Sequence, residues 1–103
     1  MSRIDSLLAY LVQSPKDSFL RHALALEYIK LGKDDEALEL FTSLLKDEPG
    51  YVGSYYHLAK LWERKGRPEE AIKSYREGMD VAKAAGDRHS YNELQMALEE
   101  LED

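Results

Sequence analysis

From Ser18 onward the apolar residues return at intervals of three and four: Leu20, Leu24, Tyr28 and Leu31, then a glycine, then Leu38, Phe41, Leu44 and Leu45. Such spacing places one face of a helix against a core, so the stretch predicts two helices broken at Gly32. The same alternation continues on both sides. "RIDSLLAYLV" carries Ile4, Leu7, Leu8, Leu11 and Val12 at helical spacing, and "DRHSYNELQMALEELED" sets Tyr91, Leu94, Leu98 and Leu101 on one stripe with acids opposite. Six helices are expected, near residues 3–13, 18–31, 34–47, 52–65, 68–85 and 88–101.

The pattern repeats. Setting Ser18 to Tyr51 above Val52 to Ala85 gives a register of 34 residues, in which Leu24/Leu58, Ala25/Ala59, Gly32/Gly66, Glu36/Glu70 and Ala37/Ala71 are identical. Tyr28 meets Trp62, Lys33 meets Arg67, Leu38 meets Ile72, Phe41 meets Tyr75 and Leu45 meets Met79. A period in this range marks a tandem supersecondary unit. Each unit reads as two antiparallel helices, with Gly32 and Gly66 ending the first because a residue at positive φ is cheapest as glycine. Pro68 suits the first position of the next helix, and Asp34, Asp35 and Glu36, or Glu69 and Glu70, suit the positive end of its dipole. Ala25 and Ala37, with Ala59 and Ala71, are expected where the paired backbones come close.

The flanks fall into the same register. Pro15 lies 34 places before Pro49, so residues 1–17 read as the second helix of an incomplete unit. Residues 18–51 and 52–85 are the two full units, and residues 86–103 a terminal helix that caps the last one with a polar outer face. The expectation is a single all-α domain, a short α-solenoid of antiparallel helix pairs.

Composition narrows the chemistry. The chain has 103 residues, 44% of them hydrophobic, which suits one modest core. With no cysteine there is no disulfide, thiolate metal site or cysteine nucleophile. A formal net charge of −6 argues against affinity for phosphate backbones, so no nucleic-acid partner is expected. Short-turn helix pairs also occur in DNA readers, but here the helix after each turn begins with acids, and the basic cluster Lys60, Arg64, Lys65 and Arg67 is small. No apolar run is long enough for a membrane span or a signal-peptide core, which predicts a soluble, cytoplasmic protein.

Leu24, Ala25, Tyr28, Gly32, Ala37, Phe41 and Pro49 in one unit, and Tyr55, Leu58, Ala59, Trp62, Gly66, Ala71 and Tyr75 in the next, resemble the tetratricopeptide repeat family. Arg21, where the family prefers an aromatic, Gly78, where it prefers alanine, and Lys83, where the first unit has Pro49, depart from its pattern. The resemblance implies a scaffold, not an enzyme, whose first helices line a concave groove for a peptide or helix of a partner protein. The groove positions so implied are Phe19, His22, Ala23, Leu26, Ile29 and Lys30 in the first unit. In the second they are Gly53, Tyr56, His57, Lys60, Glu63 and Arg64, and in the cap Asp87, Ser90 and Tyr91. One branch of the family clamps a partner's terminal carboxylate with lysines, asparagines and an arginine. His22, Leu26, His57, Asp87 and Tyr91 stand at those positions, so that clamp is not expected.

Phe19, Leu26, Ile29 and Tyr56 would form an apolar strip, with Lys60 and Arg64 adding positive charge for an acidic partner. His22, His57 and His89 lack the spacing of a zinc signature, so neither metal nor cofactor is expected. Ser54, His57, Glu63 and Tyr56 match no catalytic constellation, and the paired acids recur at helix starts, where the dipole accounts for them. The N-terminal half unit lacks its own first helix. An uncovered part of Ile4, Leu8, Leu11 or Val12 would make a homodimer through this face the alternative to peptide binding.

Overall fold

In the computed structural model, which describes residues 2–103, six helices follow one another: α1 (Arg3–Gln13), α2 (Ser18–Lys30), α3 (Asp34–Asp47), α4 (Gly53–Arg64), α5 (Pro68–Ala84) and α6 (Arg88–Glu102). No strand occurs among the described residues. The chain is all-α, and the ends of its helices fall within a residue of those the periodicity predicts.

The boundaries have local causes. Ser2 and Asp5 form a capping box at α1, and the side chains of Asp17 and Asp87 accept from the backbone N–H groups of Leu20 and Ser90 at 2.9 and 3.0 Å. No side chain caps α3 or α5. Both open instead with acids in the first turn, and α5 begins on Pro68. Gly32, Gly66 and Gly86 adopt φ of +73°, +74° and +70°. At each, the next residue's N–H bonds back across the turn: Lys33 to the Tyr28 carbonyl, Arg67 to that of Trp62 and Asp87 to that of Ala82. This is the Schellman arrangement, used three times to stop a helix and reverse the chain. Leu31, placed by periodicity on the buried stripe, is 59% exposed instead, because α2 ends one residue earlier and Leu31 is its C-cap.

The chain divides into two compact units, one running to Pro49 and the other covering Gly50–Asp103. In the first, α2 packs between α1 and α3. Leu7, Ala23 and Leu24 form a core cluster there, with Ile4, Leu11, Leu20, Tyr28 and Leu40 against it. Ala25, Ala37, Phe41 and Leu44 have no exposed surface. In the second unit α5 is the central helix, packed by α4 and α6. Its buried stripe of Ala71, Ser74, Tyr75, Gly78 and Ala82 is small except for one aromatic.

Two of the departures from the family pattern have physical reasons. A Cβ added to Gly78 would lie 2.6 Å from the Tyr55 Cβ and 3.0 Å from Leu94 Cδ1. Tyr55 Cβ is bonded to the backbone and cannot swing aside, so alanine here would force helices apart at a cost of ~1–3 kcal/mol. Arg21 replaces an aromatic with a tie. Only 5% exposed, it donates from Nη1 to Asp47 Oδ2 at 2.8 Å and from Nη2 to the Lys16 carbonyl at 2.8 Å. It thereby binds the α1–α2 turn and the end of α3 to α2.

The hydrogen bond from Arg21 holds the Asp47 carboxyl below its ordinary 3.8. A carboxyl depressed by folding stabilises the fold above its unfolded pKa, and the contribution is lost as pH falls through the folded value. The melting temperature should therefore drop as pH is lowered below 3.8. Asp47→Asn should melt lower than the parent at neutral pH and show a shallower acid loss. Identical acid profiles for the two proteins would contradict the assignment.

Candidate partner-docking faces

Phe19, His22, Leu26, Ile29 and Lys30 are spaced at three, four, three and one along α2, which sets them on one side of that helix. Phe19 is 66% exposed, an unusual position for a phenylalanine, while Leu26 and Ile29 are half-buried. His22, also half-buried, meets the buried Phe41 ring edge-on, with centroids 5.5 Å apart. Lys30 reaches outward, its ammonium 2.9 Å from Glu27 Oε2, and Arg3 Nε of α1 lies 3.5 Å from the same oxygen. Ala23 offers this face almost no exposed surface. Although it stands four residues after Phe19, on the same side of α2, it is buried in the core cluster that includes Leu7 of α1.

On α4 the corresponding residues form a connected polar and aromatic layer. Tyr56 lies edge-on to His57, with centroids 5.5 Å apart, and to the buried Tyr75 at 6.4 Å. Lys60 Nζ sits 5.5 Å from the centre of the Tyr56 ring, within cation–π range, and 3.5 Å from Glu63 Oε2. Glu63 in turn accepts a hydrogen bond from the Tyr75 hydroxyl. Burial, and then this hydrogen bond to a carboxylate, push the Tyr75 phenol well above its ordinary range, so it stays a donor. Burial holds His57 below its ordinary 6.5; the Glu93 carboxylate of α6 opposes that shift and the Arg64 guanidinium adds to it. Tyr91 stands apart from this layer. It lines a cleft of about 360 Å³ at the α5–α6 corner, with Ala82, Gly86, Asp87, Arg88 and Asn92.

Among the described residues, no group of three or more histidines and acids is placed to hold a metal ion, and no helix is long and apolar enough to cross a membrane. His89 Nε2 lies 3.9 Å from Glu93 Oε2, a surface pairing.

Reading the sequence for positions missed the counter-ion role of Glu27 and Glu63 and the hydroxyl of Tyr75 behind Glu63. The signal for the first two was present, since Glu27/Lys30 and Lys60/Glu63 stand three apart on a helix, where side chains meet. Tyr75 carried no such mark, because its partner lies on another helix.

With the helix pairs, the alanine positions and the glycine stops in place, comparison with known proteins decides the family. The sequence pattern of the tetratricopeptide repeat matches residues 22–87. The chain belongs to the tetratricopeptide repeat family. A tetratricopeptide repeat domain protein from Salinibacter ruber, solved by crystallography, is 44% identical, with a TM-score of 0.81 over 84% of this chain and 96% of that one. A solution structure of a Bordetella parapertussis protein is 27% identical, with a TM-score of 0.84 over 98% and 88% of the two chains. PcrH in complex with the chaperone-binding region of PopD is similar in fold alone, at 15% identity and a TM-score of 0.87 over 95% and 74%. Comparison with curated proteins gives no match.

Proposed function

We propose that this tetratricopeptide repeat chain is a non-catalytic interaction module that docks a peptide or helix of a partner protein on the first-helix faces of its repeats. The repeats are residues 18–51 and 52–85, preceded by a half-repeat helix in 1–17 and followed by a capping helix in 86–103. The docking residues are Phe19, His22, Leu26, Ile29 and Lys30 on α2, with Tyr56, His57, Lys60 and Arg64 on α4 and Tyr91 on α6. The observation that carries this reading is Phe19, two-thirds exposed beside the half-buried Leu26 and Ile29, an apolar strip that the first unit leaves uncovered. PcrH, a protein of similar fold, is solved in complex with a region of PopD, which supports a protein partner as a use of this fold.

A second reading has its own observation. Leu8 and Val12, four apart on α1, are 43% and 77% exposed, whereas Ile4 and Leu11 pack onto the core. Self-association through α1 would cover the exposed pair.

Photo-crosslinking residues placed at 19 and 56 should capture one common partner in native extract, while the same group at Lys73, on the exposed side of α5, should not. Equal capture from all three positions would count against the docking faces. Light scattering at high concentration separates the second reading: a dimer mass that Val12→Glu converts to a monomer supports it, and a monomer mass for the parent removes it.

A further inference from the structure

Within the second unit, Lys83 of α5 and Arg88 of α6 both line the cleft of about 360 Å³ at the α5–α6 corner, and among the described residues neither has a carboxylate in ion-pairing range. Lys60, Arg67, Lys73 and Arg76 of the same unit each have one within 4.0 Å. The acid of the cleft, Asp87, is engaged in capping α6: its Oδ1 accepts from the Ser90 N–H at 3.0 Å and its Oδ2 from the Ser90 hydroxyl at 2.7 Å. Two cations against one occupied carboxylate make this a positive corner on a chain whose net charge is −6.

The repeat itself does not require that charge. Pro49, Ser54 and Leu58 stand 34 places before Lys83, Arg88 and Asn92, so the same helical hairpin is built in this chain without polar groups there. With Lys83 in place of the proline, α5 runs 17 residues where α3 runs 14, which carries the lysine to the corner. The helix dipole favours Lys83 in the last turn of α5, but it opposes Arg88 in the first turn of α6, which holds no acid. Arg88, Tyr91 and Asn92 stand three and four apart, on one side of α6, and bring a guanidinium, a hydroxyl and an amide to one place. The volume is near the lower end of the roughly 300–1,000 Å³ of ligand sites, which suits a single small group.

We propose that this cleft anchors an anionic side chain of the docked partner segment, a carboxylate or a phosphate monoester, between Lys83 and Arg88, with the Asn92 amide and the Tyr91 hydroxyl as further donors. Of its residues only Asp87 and Tyr91 coincide with positions of the family's terminal-carboxylate clamp, and neither supplies a cation. The proposal rests on the docking reading above and adds the charge of the occupant and the place that holds it.

Three peptides of equal length, blocked at both termini, serve as probes: a Gly/Ser background with a central glutamate, phosphoserine or glutamine. Amide shifts of the ¹⁵N-labelled protein report binding. At least one anionic peptide should perturb residues 83–92 at about tenfold lower concentration than the glutamine peptide, with an affinity that falls as salt is added. The tighter of the two tells carboxylate from phosphate. In Lys83→Gln/Arg88→Gln the preference should vanish, whereas Lys73→Gln/Arg76→Gln, which removes two other cations of α5, should keep it. All four side chains are exposed, and circular dichroism verifies the fold of both variants. A glutamine peptide that binds as tightly as the anionic ones, no shift of residues 83–92 with any peptide, a preference that survives in Lys83→Gln/Arg88→Gln, or one lost equally in both variants overturns the proposal. Crosslinking through residues 19 and 56 separates the two levels. Capture of a common partner there with no anion preference at the cleft overturns this proposal and leaves docking standing. No capture from the parent protein overturns the docking reading, and this proposal with it.

Discussion

Helices that face each other across alanine and glycine approach more closely than helices held apart by larger side chains, and each unit here depends on that approach. Ala25, Ala37, Ala59 and Ala71 have no exposed surface, and Gly78 leaves less room than a single Cβ would need. Each unit is a three-helix layer whose central helix, α2 or α5, is packed on two sides. Small side chains on that helix let both neighbours settle onto it, and the larger Phe41, Leu44, Leu61 and Tyr75 fill the space alongside. Hydrophobic burial drives the assembly, while the small residues decide how near the backbones come.

That closeness reaches the surface through Tyr75. Its ring belongs to the buried stripe of α5, yet its hydroxyl arrives at α4, where Glu63 accepts it and holds Lys60 in turn. A core residue thus sets the position of a charge on an exposed face. The first unit achieves a similar result by other means, with Arg3 of α1 and Lys30 of α2 sharing the Glu27 carboxylate. Both arrangements place a partly buried carboxylate beside the lysine of the face, a pairing invisible in the net charge of −6.

Most of the fold was legible in the sequence because its determinants are local and occur twice. The glycines at positive φ, Pro68 opening α5, the acids in the first turns and the fully buried alanines all mark themselves by spacing. Where the order of residues was insufficient, the determinant was a contact between helices. Arg21 reads as an anomaly until Asp47 and the Lys16 carbonyl are seen around it, and Gly78 reads as a lapse until Tyr55 is placed against it. Leu31 illustrates the opposite error, since periodicity extended a stripe one residue past the end of its helix. On α2 and α4, position along the helix picked out the exposed Phe19, Lys30 and Arg64, while Leu26, Ile29, Tyr56 and His57 are half-buried. It could not tell that Ala23 is buried in the cluster with Leu7 of α1, nor that the lysines are already paired.

The central claim is that paired helices close on small side chains, with no room left between them. Chemical denaturation of Ala37→Leu and Ala71→Leu, followed by circular dichroism, tests it most directly. Each protein should remain helical and lose ~1–3 kcal/mol of unfolding free energy. Unfolding midpoints equal to the parent's in both would contradict the account, because a leucine accommodated without cost means that the helices were never in close contact there.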